Sequence, residues 1–309
     1  MASNIQVQKI TTLTGHRDCV YTLEPSGEEH VFFSAAGDGM VVAWDLSNPD
    51  TGELVAKVSG SVYALRYIPG RNLLLIGQNQ EGLQVIDLKD KKIRKSVPLP
   101  KAAIFDILYI PELQKIFVGM AGGAICVVSG DTFELQTILR KSNQSARSLA
   151  YNPQTQELAV GYSDNIIRIY DAASLELKHE MDAHANSVFT VVYSPDGKLL
   201  LTGSRDAHLR VWEVEKGYKE RGYTIAHMYT INHITYSPDG RLFATCSMDK
   251  SIKVWDAQTF KLLKVIDKVR NASHGTSVNK LFWSAHQNQL VSCSDDRTIS
   301  VWDIKQVEL

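Results

Sequence analysis

An all-β fold, a closed seven-bladed β-propeller with four antiparallel strands in each blade, is what this 309-residue sequence predicts. Three observations carry that expectation. A repeat of about 42 residues runs the whole length. Each repeat divides into short strand-like runs punctuated by turn residues. A strand-like segment at the N-terminus is left over, while the last repeat is one strand short. Residues 1–309 are therefore expected to form one propeller, with residues 1–13 completing the last blade.

The repeat is read from Trp44-Asp45, whose equivalents are Ile86-Asp87, Val128-Ser129, Tyr170-Asp171, Trp212-Glu213, Trp255-Asp256 and Trp302-Asp303, at steps of 42, 42, 42, 42, 43 and 47. Pro25, Pro69, Pro111, Pro153, Pro195 and Pro238 keep nearly the same pitch, and Tyr67, Tyr109, Tyr151, Tyr193 and Tyr236 each stand two residues before one of these prolines. Within a repeat, Ser187–Tyr193 is a β-branched and aromatic run that ends at Ser194-Pro195-Asp196-Gly197. There Pro presets φ, Asp bonds its own backbone and Gly accepts positive φ, so the chain turns. Lys198–Gly203 reads as the second strand, Arg205-Asp206-Ala207 as the next turn and His208–Trp212 as the third strand, with a more polar fourth strand after it. No helical periodicity of helix length appears. Seven Trp-Asp positions predict seven blades. Six residues follow Trp302-Asp303, too few for a turn and a fourth strand, so Ile5–Leu13 is expected to close the ring and to leave no unpaired edge at the seam.

Composition narrows the functional classes. With 33 Lys and Arg against 34 Asp and Glu, the net charge is −1, and no basic excess is available to neutralise phosphates. The densest basic run, Lys89–Lys95, is short and interrupted, and reads as a solvated edge. No nucleic acid partner is expected. The N-terminus lacks a secretory pattern, and no apolar window approaches a membrane span. Cys19, Cys126, Cys246 and Cys293 lie far apart and read as reduced thiols. A cytoplasmic location is expected, as a monomer or as a subunit of a larger assembly.

Four repeats share further residues at constant spacing. They are His16, Ser34, Asp38 and Trp44; His184, Thr202, Asp206 and Trp212; His227, Thr245, Asp249 and Trp255; and His274, Ser292, Asp296 and Trp302. Together with Gly15-His16, Ala183-His184, Ala226-His227 and Ser273-His274, these residues resemble the signature of WD-repeat proteins, and the resemblance extends over essentially the whole chain. It implies a propeller that serves as an interaction platform. Constant spacing implies that the side chains meet: an indole N–H can donate to the hydroxyl, the hydroxyl can bond the imidazole, and the imidazole can donate to the carboxylate. A Ser, a His and an Asp also suggest a hydrolase, but four copies in one chain are what structural stitching predicts. The equivalents in the other repeats are Val58, Ile76, Gln80 and Ile86; Pro100, Val118, Gly122 and Val128; and Ser142, Val160, Asp164 and Tyr170. Joint loss is the pattern of a buried network, because a half-satisfied one is worse than none. Asp164 then needs another partner or water.

The resemblance implies that the loop before the first strand and the turn between the second and third strands share one face, the top. The residue five after each His position opens the innermost strand, which gives Tyr21, Tyr63, Phe105, Arg147, Phe189, Asn232 and Asn279. Four aromatics and an arginine are residue types enriched at interface hot spots. They either contact a partner or cap the packing of each blade. The residues before the turn aspartate (Gly37, Asn79, Ala121, Ser163, Arg205, Met248 and Asp295) lie on the same rim. Arg147 and Arg205, from neighbouring blades, either hold a carboxylate or phosphate together or stand as two solvated cations. Asp267–Ser273 lengthens one top-face loop. No phosphate-binding, zinc or calcium motif occurs, and His30, His179, His208, His233 and His286 show no ligand spacing, so no cofactor, metal or catalytic residue is assigned.

The leading expectation is a non-catalytic scaffold that binds a peptide or protein on its top face. The alternative is a propeller enzyme, a hydrolase or lyase with its site in the central channel. Converging acidic, basic or metal-binding side chains would mark the second, and the innermost strands are expected to offer mainly aromatic and amide groups instead. A third reading is a structural propeller that uses its sides or bottom, where the Lys89–Lys95 edge is the place to look.

Overall fold

A computed structural model describes residues 4–307 of the chain. Turn-forming dipeptides break the β-branched runs every six or so residues, so the chain pleats back and forth on itself. The result is seven four-stranded antiparallel sheets. In six of them the strands follow chain order from the innermost to the outermost. The seventh takes three strands from the end of the chain and its outermost from the beginning. Asn4–Leu13 pairs antiparallel with Ile299–Val307, with Gln8 opposite Asp303 and Leu13 opposite Ile299. The ring is closed by the N-terminal strand, and the blades are those anticipated from the repeat.

The core lies between the blades. Seven apolar clusters each bridge two neighbouring sheets; one joins Phe33 and Val41 of blade 1 to Leu65 and Ile76 of blade 2, and another joins Val291 and Val301 of blade 7 to Leu23 and Phe32 of blade 1. The second strands are the most buried, the innermost strands are partly open to the channel, and outermost strands such as Leu135–Arg140 and Lys219–Ile225 face water. Each sheet is therefore most apolar in its middle strands and polar at the perimeter, which accounts for the polar fourth strand.

Among the described residues α-helix is confined to one turn, Lys268–Asn271, inside the long loop Asp267–Ser273, where Asp267 caps it by accepting from the Arg270 N–H at 2.8 Å. Gly39 holds a positive φ of 73° where an added Cβ would strike the Val58 carbonyl, so the turn after Asp38 requires glycine.

Every innermost strand begins with an irregularity. Pairing runs from Val20 to Thr22, Ile104 to Asp106, Ala146 to Ser148, Val188 to Thr190, Ile231 to His233 and Val278 to Lys280, skipping one residue each time. In blade 2 the skip covers Tyr63 and Ala64. A bulge of this kind re-aims the skipped side chain. The skipped residues are Tyr21, Tyr63, Phe105, Arg147, Phe189, Asn232 and Asn279, all of which line the central channel.

Candidate functional site

The four His-containing repeats build the same chain of bonds. In blade 5, Trp212 Nε1 donates to Thr202 Oγ1 at 3.0 Å, Thr202 Oγ1 lies 2.9 Å from His184 Nε2, and His184 Nδ1 lies 3.0 Å from Asp206. The distances are 3.0, 2.7 and 2.9 Å in blade 6 and 2.9, 2.9 and 2.9 Å in blade 7. Blade 1 is tight at Trp44 and Ser34 but looser at Asp38, 3.3 Å from His16. Burial lowers the pKa of His16, His184 and His227 below the usual 6.5, against the pull of their aspartates, so these rings are neutral and donate from Nδ1. Burial alone would raise the carboxyls of Asp206, Asp249 and Asp296. Hydrogen bonds from His184, His227 and His274, with backbone and hydroxyl donors, outweigh it and hold all three well below the usual carboxylate range.

The same aspartates tie two loops together. Asp206 accepts from the Ala185 N–H at 2.9 Å, Asp249 from Met228 at 3.0 Å and Asp38 from Arg17 at 2.7 Å. The loop before the first strand and the turn between the second and third therefore lie on one face.

Blades without the tetrad solve the same problem in other ways. Blade 3 places Val118 and Val128 in an apolar cluster. Blade 2 keeps Ile76 and Ile86 apolar and adds a separate amide chain, Ser96 to Gln84 to Gln78 to Ser59. In blade 4, Asp164 accepts from Ser142 Oγ at 2.7 Å and from Arg168 Nη1 at 2.8 Å. Arg168, buried and stacked over Tyr162 at 4.7 Å, supplies the positive polar group there, and the Tyr162 and Tyr170 hydroxyls bond each other at 3.1 Å.

The channel mouth is a run of stacked side chains. Tyr21 meets Tyr63 edge-on at 4.8 Å, Tyr63 stacks on Phe105 at 6.0 Å, and the Arg147 guanidinium lies between Phe105 at 4.7 Å and Phe189 at 4.3 Å. All five are half-buried, and the four aromatics belong to none of the clusters that pack blade on blade. Asn232 and Asn279 complete the ring, but their amides act as ties between blades. Asn232 donates to the Val278 carbonyl at 2.8 Å, and Asn279 donates to the Val20 carbonyl at 2.9 Å and to Asp295 at 2.7 Å. On the second rim Arg205 and Met248 are exposed and Asp295 is half-buried.

Below the mouth the channel, of about 560 Å³, is more ionisable than the aromatic and amide composition expected of it. Glu24, Arg66, Asp106, His233 and Lys280 line it. They stand one or three positions beyond the mouth residues, and carrying the repeat register that far would have found them. Most are occupied in joining blades, because the innermost strand of each sheet is an edge with unpaired N–H groups. Glu24 accepts from the Tyr67 N–H at 3.0 Å and faces Arg66 at 3.5 Å. Asp106 accepts from Leu149 at 2.8 Å, Ser148 from Val191 at 3.1 Å, and His233 from Leu281 at 3.4 Å. Burial, aided by Lys280 and Arg66, pushes the His233 pKa well below its usual value. The Lys89–Lys95 edge is partly neutralised, with Lys91 paired to Glu53 and Lys95 4.0 Å from Glu134. Among the described residues no three His, Cys, Asp or Glu side chains gather as metal ligands.

Seven blades in a ring, four stitched by repeated His–Ser/Thr–Asp–Trp chains, define a repeat propeller. The family model described as WD domain, G-beta repeat, matches residues 7–45, 133–171, 175–213, 219–256 and 266–303, more than half of the chain. The chain belongs to the WD40 repeat family, whose propellers generally mediate protein–protein interaction and are typically non-enzymatic. The unmatched stretch contains blade 2 and most of blade 3, the two blades that lack the tetrad altogether. A search of curated proteins returns no match.

Proposed function

We propose that the protein is a non-catalytic interaction scaffold whose top face, centred on the channel mouth, binds a peptide or a protein partner. One observation carries this reading: Tyr21, Tyr63, Phe105, Arg147 and Phe189 form a continuous, half-buried stack outside the apolar clusters that hold the blades together. Large aromatic and arginine side chains already held in place lose little freedom on binding and present wide contact area. Support for the absence of catalysis comes from the channel, whose carboxylates and imidazole are engaged with the backbone of the next blade.

The test is affinity capture from an extract of the native cells, comparing the wild-type protein with Tyr63→Ala/Phe105→Ala/Phe189→Ala. A protein captured by the wild type and lost with the triple variant supports the top face and names the partner. An unchanged set of captured proteins removes the top face from consideration and moves attention to the sides, the bottom or a ligand of the channel.

A further inference from the structure

Two arginines stand without counter-ions on one side of the mouth, among the described residues. Arg147 of blade 4 forms no ion pair among the described residues; its Nε donates to Ser163 Oγ at 2.6 Å, and its stacking between Phe105 and Phe189 leaves the terminal nitrogens as its free edge. Burial, and then the nearby charge of Arg205, lower its pKa. Arg205 of blade 5 is exposed, and its side chain has neither an ion pair nor a hydrogen bond among the described residues. The two are joined through the backbone: the Ser187 hydroxyl donates to the Ser163 carbonyl at 3.2 Å, and the Arg205 N–H donates to the Ser187 carbonyl at 2.9 Å. Across the ring, at the seam of blades 7 and 1, stand Asp18 and Asp295 without a cationic partner among the described residues.

Beside the arginines lies an apolar patch. The Ala226 N–H donates to the Ala207 carbonyl at 3.0 Å, which sets the loop after it against the turn that carries Arg205. That loop displays Met228, 81% exposed, and Tyr229, 59% exposed, and its Thr230 carbonyl accepts from the N–H of Met248, 57% exposed. Three large apolar side chains this exposed on one loop and turn are unusual for a surface that meets only water. Methionine and tyrosine also adapt to varied apolar partners.

From these placements we infer that the partner is an acidic, extended peptide segment, seated with a carboxylate side chain against Arg147 and Arg205 and an adjacent apolar side chain on Met228, Tyr229 and Met248. The inference rests on the top-face reading proposed above and adds the partner's chemistry. Two arginines on adjoining loops, with no counter-ion among the described residues, repel each other, and a carboxylate that accepts from both would relieve that repulsion. A lysine or arginine of the partner would meet like charge at this spot, although aromatic rings surround it, because Arg147 already covers the facing rings of Phe105 and Phe189. Asp18 and Asp295 across the ring share their loop and turn with the exposed Arg17 and Arg297, so that side carries both signs of charge, and the two unpaired arginines direct the acidic end of the segment to blades 4 and 5. Asp206, next to Arg205, is engaged with His184, Ala185 and His208 of its own blade and does not fill the place.

The experiment is selection of a random peptide library, displayed on phage, against the full-length protein, followed by affinity measurement on the synthetic peptides recovered. The expected result is enrichment of Asp and Glu next to an apolar residue. Arg205→Ala and Arg147→Gln should each weaken these peptides by about tenfold, and more steeply at low salt. Arg147→Lys should recover part of the loss. Arg205 is exposed and bonds only through its backbone, so Arg205→Ala gives a folded control. Peptides that depend on Tyr63, Phe105 and Phe189 but show no acidic enrichment and bind the arginine variants unchanged overturn the inference and leave the top-face reading standing. Recovery of no peptide that depends on the mouth overturns both.

Discussion

Thr202 shows how much one side chain can hold in this molecule. Its hydroxyl is the shared partner of Trp212 Nε1 and His184 Nε2, and all three groups are buried. Thr202→Val keeps the shape and removes the oxygen, leaving an indole N–H and an imidazole nitrogen unpaired; stability should fall by about 3 kcal/mol, read as a lower denaturation midpoint. The equivalent residue in blade 3 is already valine, Val118, within an apolar cluster, so the loss is specific to a blade whose other members remain polar. Phe189 is the opposite case. It is half-buried, lies outside the clusters and its contact is the Arg147 guanidinium. Phe189→Ala should cost no more than about 1 kcal/mol of stability. A large drop in melting temperature would make it a packing residue and withdraw it from the proposed surface.

Among the elements, the N-terminal strand matters most to the closure of the ring. Asn4–Leu13 supplies the outer strand of blade 7, Ile5 and Leu13 are buried, and Lys9 donates to the Ala272 carbonyl at 2.8 Å. Without it Ile299–Val307 would be an open edge, and the last blade would lose its outer hydrogen bonds and the burial of Ile5 against Ile252 and Trp302. Deleting residues 1–12 should therefore destabilise the whole fold rather than fray one end. A truncated protein that melts like the full chain would count against this. The bulges at the head of the innermost strands are the second decisive element, because they turn seven consecutive-register residues into the channel. Their existence follows from no residue type; Tyr, Phe, Arg and Asn all occupy the position.

At the scale of the whole molecule the tetrads make stability depend on pH. His16, His184 and His227 have folded-state pKa values below 6.5, their value in the unfolded chain. The unfolded chain thus takes up protons first as pH falls, so this contribution is complete above about 6.5 and is lost as pH falls towards the folded values. Asp206, Asp249 and Asp296, held below 3.8, act in the same direction further into acid, with their stabilisation present above 3.8 and lost as pH falls through their folded values. Glu24, raised by burial, acts the other way but is a single group. The melting temperature should fall steadily from about pH 7 to about pH 4. A flat profile would mean that the imidazoles take up protons alike in the folded and unfolded chain, so that burial does not lower their pKa values.

Much of this was legible because a repeat states the same thing several times. The pitch, the blade number and the spacing of the tetrads are properties of the order of residues, and a spacing of 22 between His and Asp recurs only if the chain folds the same way each time. The mouth positions followed from the same register. Contacts between blades did not. That Glu24, Asp106 and His233 satisfy the edge of the neighbouring sheet, and that Asn232 and Asn279 bind backbone carbonyls, depends on residues of adjacent blades, 43 to 48 positions apart or 259 across the seam, coming within 2.8–3.4 Å. Order along the chain specifies what each blade is, because local turns and strand patterns repeat. What faces the channel, and which of those groups remain free to meet a partner, is decided only when the ring closes and each blade becomes its neighbour's hydrogen-bonding environment.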